Sequence, residues 1–409
     1  MNRHETLLVL LLGAFAIALS GDSVLPRELV LPSLHPEINI GAMYIELTDT
    51  SRLDPFSNGT SFRKIMASLY FPSGNGLRLS CLDKPLTGDH VAHTLPYMPP
   101  QTSKLYAQLL IPYGFPDPNF DRLFSQCSLE NTRPDAATSY PLVVFSPGGG
   151  ESRFLYTTIL EDLARQGAIV AAIDHPYDAL IVEFPDGDTT TGSNKTLSKE
   201  DVELLVSVRA QDISFLIDQL DRRPLLQPKP MNVTSVVAFG HSLGGASVAE
   251  AMLNDSRIKG GINFDGRLFG SMEKANTTLS GPFLRFASEE SVNRSEWHWD
   301  EEWQRLRGWK LELCLEGAAH QTFSDYPLIA EAYGLRAKLG REGEKLLGTI
   351  EGMRGLEIMV EYVSAFARFV LKGSNESLLH IGRTTKYPEV VMNRSGWSWD
   401  LWMQSTALH

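Results

Sequence analysis

The apolar run Val236-Val237-Ala238-Phe239 leads directly into Gly240-His241-Ser242-Leu243-Gly244-Gly245, and helix-compatible residues follow to about Leu253. A strand, a Gly-x-Ser-x-Gly turn and a helix in immediate succession leave few folds open. Such a turn is tight and strained, and it lifts the serine hydroxyl out at the carboxyl edge of a parallel sheet. Gly240 and Gly244 flank the serine where a Cβ would collide with neighbouring backbone. The helix behind the turn aims its first amides at a bound carbonyl, so the Leu243 N–H is the expected first oxyanion donor. Chance alone gives ~0.2 matches to the bare pentapeptide in a chain of this length, so the flanking strand and helix carry the reading. Ser242 is the expected nucleophile.

The same strand–helix alternation extends on both sides of the turn. Ile65 to Phe71 reads as an early strand, and Leu142-Val143-Val144-Phe145 as a strand buried on both faces. A helix carrying Leu155, Ile159, Leu160 and Leu163 follows, then a strand from Ala168 to Ile173. Ser198-Lys199-Glu200-Asp201 resembles a capping box opening a long helix, with Leu205, Ile213, Leu216 and Leu220 on one face. Strands Gly260 to Phe264, Pro282 to Ala287 and Leu311 to Leu315 come after the turn, and an apolar helix spans Leu356 to Leu371. Alternation with right-handed crossovers predicts an α/β fold with a mostly parallel, doubly wound sheet and helices on both faces.

A serine needs a base to take its proton, and in this layout the order along the chain is Ser, then Asp or Glu, then His. His320 hangs in Glu316-Gly317-Ala318-Ala319-His320, directly after a strand, and is the expected base; His298 and His380 read as surface or helix residues. Asp265 ends the strand next after the Ser242 strand and is the expected acid, with Glu289, Glu290 and Asp300 as competitors. The second oxyanion donor is expected from Gly148-Gly149-Gly150, with Gly149 central. No His, Cys or Asp spacing suggests a zinc site, and no cofactor is expected.

Composition narrows the rest. The chain has 409 residues, 43% of them hydrophobic, and a formal net charge of −12 without a dense Lys/Arg run, which argues against a nucleic-acid partner. Arg3 and His4 precede an apolar stretch from Leu7 to Leu19 and small residues at Ala18-Leu19-Ser20. Residues 1–20 are therefore read as a signal peptide, and the chain as secreted, with no transmembrane segment. Residues 21–409 then form a single catalytic domain, with an irregular insert at about 79–138 and a C-terminal extension at about 372–409. Eight Asn-x-Ser/Thr sequons agree with secretion: Asn58, Asn194, Asn254, Asn276, Asn293, Asn375, Asn393, and Asn232, which adjoins the Ser242 strand where access is expected to be poor. Cys81 and Cys127 are the natural disulfide pair, and Cys314 reads as a buried free thiol. Aromatics in the insert (Tyr113, Phe115, Phe120, Phe124) and in the tail (Trp397, Trp399, Trp402) are candidate lipid contacts, the insert being favoured.

Four blocks, taken in order, resemble a known family. They are Phe145-Ser146-Pro147-Gly148-Gly149-Gly150, Gly240-His241-Ser242-Leu243-Gly244-Gly245, Phe264-Asp265-Gly266 and His320-Gln321-Thr322-Phe323-Ser324-Asp325. Over roughly residues 61–326 they look like the platelet-activating factor acetylhydrolases of the plasma and intracellular type II kind. The resemblance implies a secreted α/β-hydrolase that needs no calcium and cleaves short or oxidised sn-2 acyl chains from phospholipids. By position it implies Ser242 as nucleophile, Asp265 as acid, His320 as base, and the Leu243 and Gly149 amides as oxyanion donors. This chain departs in the glycine loop, with Pro147 where the family usually has His and Gly149 where it has a larger apolar residue. A short-chain carboxylesterase or polyester hydrolase would use the same machinery. A non-catalytic binding protein would lack one of the three reacting residues, and none is missing.

Overall fold

Alternate residues of the central strands enter two different cores, which is why these strands read as unbroken apolar runs. Val143, Phe145, Val170, Ala172, Val237 and Phe239 lie in one core, and Leu142, Val144, Ile169, Ala171, Val236 and Ala238 in the other. A strand of period two with both faces covered turns its successive side chains into one core or the other.

The computed structural model describes residues 29–396 apart from 39, 58, 74–94, 112–114, 116–119, 121, 126–127, 130–133, 135–137, 194–195, 223–230, 293–298 and 382. Ten strands build the main sheet: β1 (Ile40–Leu53), β2 (Phe62–Pro72), β3 (Ser128–Leu129), β4 (Tyr140–Ser146), β5 (Ile169–Asp174), β6 (Met231–His241), β7 (Ile258–Phe264), β8 (Phe283–Ser288), β9 (Lys310–Leu315) and β10 (Val390–Gly396). Their spatial order is β10-β9-β8-β7-β6-β4-β5-β2-β1-β3. The run from β5 to β9 is parallel throughout, whereas β2 pairs antiparallel with β1 and β5, and β10 antiparallel with β9. The expected mostly parallel sheet is present, with β6 near its middle.

Helices cover both of its faces. α1 (Thr157–Arg165) and α4 (Gly352–Lys372) bury Ile159, Leu160, Leu163, Leu356, Val363 and Phe366 in the first core. α2 (Lys199–Arg222) and α3 (Leu243–Asn254) bury Ile213, Leu216, Leu220, Val248 and Ala251 in the second. α2 starts on a reciprocal cap, Ser198 N to Asp201 Oδ2 at 2.9 Å and Asp201 N to Ser198 Oγ at 3.1 Å. α4 ends on Gly373 at φ 64°, a left-handed position that glycine adopts without a Cβ penalty. Among the described residues no helix is long and apolar enough to cross a membrane.

Several expectations are corrected. Part of the C-terminal extension belongs to the sheet, because β10 pairs with β9 at its edge. Its sequence Val-Val-Met-Asn-Arg-Ser-Gly lacks apolar alternation because an edge strand needs no second buried face; Arg394 instead pairs with Glu312 at 3.0 Å and Asp300 at 2.6 Å. The insert is not wholly irregular: it holds a helix, Pro100–Leu110, and a strand, Leu123–Ser125, set between Leu29–Val30 and Leu95–Pro96. Phe115 and Phe120 are 4% and 2% exposed, packed on each other at 4.8 Å between ring centroids and against Tyr333 and Tyr97, so they are core and not a lipid contact. Asn232 is exposed, as are Asn254, Asn276, Asn375 and Asn393, so the expected poor access at Asn232 is wrong. Cys314 is a buried free thiol in β9. The segment 1–20, Cys81, Cys127, Asn58, Asn194, Asn293, Tyr113, His298, Trp397, Trp399 and Trp402 lie outside the described residues.

Candidate active site

The turn between β6 and α3 has the strain its sequence implies. Ser242 sits at φ 54° and ψ −119°, a conformation that costs a non-glycine residue on the order of 1–3 kcal/mol. Its surroundings hold it there: Ser242 N donates to Phe264 O at 2.8 Å, and Ser242 O accepts from Gly245 N at 3.0 Å. A Cβ on Gly244 would fall on the backbone oxygens of Ser146 and Pro147, and one on Gly240 on the backbone of Gly244. α3 therefore lies close against the end of β4 only because these positions carry no side chain. Ser242 is half-buried, and Leu243 opens the helix with an amide that has no intrahelical acceptor.

Asp265 follows β7 at φ 51° and is fully buried. Its Oδ1 accepts from Ser288 N at 2.6 Å, and its Oδ2 from Ser288 Oγ at 3.1 Å and from His320 Nδ1 at 2.8 Å. Burial opposes charge on this carboxyl, but the bond and charge of His320 and the Ser288 donors outweigh it, holding the pKa below the usual range. An ionised Asp265 fixes the His320 proton on Nδ1 and leaves Nε2 as the acceptor. Asp265 bonds His320 Nδ1, whereas Glu289 and Glu290 are exposed, and Asp300 pairs with Arg394.

The glycine loop after β4 distributes its amides unevenly. Gly148 N donates to Tyr156 Oη at 3.1 Å and Gly150 N to Asp178 Oδ1 at 3.0 Å. Between them, the Gly149 amide donates to no described residue. The loop carbonyls are clamped from α2, where Arg209 donates to Pro147 O at 2.6 Å and Gly148 O at 3.0 Å and pairs with Asp178. Beneath it runs a second serine–histidine–aspartate chain, with Ser146 Oγ 3.0 Å from His175 Nε2 and His175 Nδ1 2.9 Å from Asp212 Oδ2. Ser146 has no exposure, so no substrate reaches it; Arg63 anchors the chain by pairing with Asp212 at 2.7 Å and Asp54 at 2.9 Å.

A free loop amide, a strained serine and an Asp–His pair lie on loops that leave one sheet edge, and known proteins share this framework. The family model described as platelet-activating factor acetylhydrolase, isoform II, matches residues 125–185 and 219–376. A probable 1-alkyl-2-acetylglycerophosphocholine esterase of Arthroderma benhamiae is 31% identical over 94% of this chain and 99% of its own. The chain belongs to the platelet-activating factor acetylhydrolase isoform II family. It is an ester-hydrolysing enzyme of the α/β-hydrolase fold. The acetylhydrolase of Cavia porcellus is 24% identical, over 50% of this chain and 53% of its own length. A solved ferulic acid esterase from Streptomyces cinnamoneus superposes with a TM-score of 0.74 at 29% identity, covering 90% of this chain and 100% of that one.

In this family member the block from His320 to Asp325 is explained residue by residue. His320 meets Asp265, and Gln321 Nε2 donates to Glu151 Oε1 at 2.9 Å. Thr322 Oγ1 accepts from Ala319 N and donates to Leu347 O, both at 2.8 Å. Phe323 is fully buried beside His241, Phe264 and Phe286. Ser324 donates back to Gln321 O at 2.8 Å, and Asp325 accepts from Tyr97 Oη at 2.9 Å and from Thr158 Oγ1. Sequence reasoning missed Glu151, Tyr156, His241, Arg209 and the Ser146–His175–Asp212 chain. A signal existed for Arg209 and Asp212, which helical spacing puts on the apolar stripe of Leu205, Ile213 and Leu216.

Proposed function

We propose that this enzyme is a secreted serine esterase hydrolysing the short sn-2 acyl ester of platelet-activating-factor-like phospholipids. Ser242 Oγ attacks the ester carbonyl as His320 Nε2 takes its proton, with Asp265 holding the imidazole in the required tautomer and stabilising its charged form. The Leu243 and Gly149 amides receive the oxyanion; collapse expels the lysophospholipid, protonated by His320, and leaves an acyl-enzyme. Water, deprotonated by the same histidine, then releases the short carboxylic acid. The observation that carries the reading is the Asp265–His320 bond of 2.8 Å at the same sheet edge as the strained Ser242. The unspent Gly149 amide supports the oxyanion role. The phospholipid part rests on the relatives named for that activity, above all the fungal esterase matched along nearly its whole length. Secretion rests on the sequence of residues 1–20 and on the exposure of the five described sequon asparagines.

A second reading has its own support: the ferulic acid esterase neighbour covers 90% of the chain, which favours small soluble esters. One experiment separates them. The purified protein is assayed on 2-acetyl and long-chain sn-2 phospholipids and on short-chain aryl esters, with Ser242→Ala as control. Preference for the acetyl phospholipid, abolished in Ser242→Ala, is the expected result. Turnover of aryl esters alone would select the second reading, and a fluorophosphonate label found on a serine other than Ser242 would remove the mechanism.

A further inference from the structure

The mechanism leaves several buried carboxylates unused, and one of them, Glu151, bonds the residue next to His320. Glu151 directly follows the glycine loop and is 7% exposed. Its Oε1 accepts from Gln321 Nε2 at 2.9 Å, the residue next to His320, and its Oε2 accepts from Tyr156 Oη. Tyr156 Oη in turn accepts from Gly148 N at 3.1 Å and lies 2.7 Å from His241 Nδ1. A phenol has one proton and two lone pairs. With its proton on Glu151 and one lone pair on Gly148 N–H, the other lone pair faces His241, which must carry its own proton on Nδ1. His241 Nε2 is then a lone pair, buried and without a partner among the described residues. The His241 ring lies 4.5 Å from the His320 ring, between centroids, at a 41° tilt.

We propose that Glu151 is a positioning residue: it joins the glycine loop to the His320 loop and fixes a negative charge behind the histidine pair. The proposal rests on His320 being the base. Gly148 leaves room for this network, since a Cβ there would fall on Glu151 Oε2 and lie 3.2 Å from Tyr156 Oη. The charge states agree. Burial and the neighbouring His320 push His241 down, keeping it neutral. Burial opposes ionisation of Glu151, but His241, Tyr156 and Gln321 outweigh it and hold the carboxyl below its ordinary range. When His320 becomes an imidazolium it faces ionised Asp265 on one side and neutral His241, backed by ionised Glu151, on the other. Glu289 and Glu316, at the ends of β8 and β9, are exposed and act through solvent.

Removing the Glu151 charge makes protonated His320 less favourable, so its pKa falls. The test is the pH dependence of kcat/KM on p-nitrophenyl acetate for the full-length protein, Glu151→Gln and Tyr156→Phe, with folding checked by circular dichroism. Glu151→Gln should lower kcat about tenfold, with KM little changed, and move the acid limb downward by roughly half a pH unit. Tyr156→Phe keeps the charge but cuts the bridge to Gly148, so kcat should fall with the acid limb in place. A folded Glu151→Gln whose acid limb does not move overturns the proposal, and so does Tyr156→Phe with wild-type kcat. His320→Gln distinguishes the two levels: if it retains turnover and the acid limb, the assignment of the base has failed, not the role of Glu151.

Discussion

Gly244 has no room for a methyl group, because a Cβ there would land on the carbonyl oxygens of Ser146 and Pro147, which are backbone and cannot swing away. Gly244→Ala should therefore force α3 off β4, at a cost of about 3 kcal/mol or more in urea unfolding and with loss of turnover, whereas the exposed Gly187→Ala should leave turnover near wild type. In the proposed mechanism Asp265 acts by charge and geometry together. Asp265→Asn keeps the shape but offers an amide where an ionised acceptor is needed, so kcat should fall by roughly 10⁴ with the protein still folded. A loss below tenfold in steady-state kinetics would mean that another group orients His320. The strained turn at Ser242 and the placement of His320 after a strand were readable from order and context; the contacts of Glu151 were not, because Gln321 and His241 lie 170 and 90 positions away.

At the scale of elements, α2 is both a core helix and the clamp on the glycine loop. Arg209 leaves its apolar stripe to hold Pro147 O, Gly148 O and Asp178, and Asp178 in turn holds Gly150 N. Arg209→Met fits the volume but strands a buried carboxylate, and breaking a buried pair costs roughly 3–5 kcal/mol. Thermal or urea unfolding should show that loss, and turnover should fall further because the Gly149 amide is no longer held. Arg209→Lys should recover little, since one ammonium cannot span two carbonyls and a carboxylate. Full recovery by lysine would mean that charge alone matters here. The helix itself was legible from its period and cap; its second role is visible only once the glycine loop lies against it.

For the whole molecule, Asp325 couples the insert to α1 by accepting from Tyr97 and Thr158, and among the described residues no cation pairs with it. Burial pushes its pKa up to about 7 from 3.8. The folded state then binds this proton more tightly than the unfolded chain does. Its contribution to stability is complete below about pH 4 and is lost as pH rises through about 7. Asp325→Asn removes the titration. Its stability relative to the wild type should improve between pH 5 and pH 8, and a constant difference in urea unfolding at the two values would count against it. Phe115 and Phe120 belong to the same coupled region, so their replacement should act on folding and not on lipid contact.

The sequence determined what local chemistry can dictate: two-faced apolar strands, capped amphipathic helices, a serine turn that only glycine neighbours permit, and a histidine hung from a strand end. Each depends on residues within one or two turns of chain. Tertiary structure alone decided what meets across long separations. It set Asp265 against His320, left the Gly149 amide without an acceptor among the described residues and buried Phe115 and Phe120 of the insert. It also drew a polar edge strand, Val390–Gly396, onto the sheet. Hydrophobic period reports which face a residue turns inward, but not which of several inward-facing polar groups finds its partner. That choice is made by packing, which leaves a buried charge only where a counter-charge or donor can reach it.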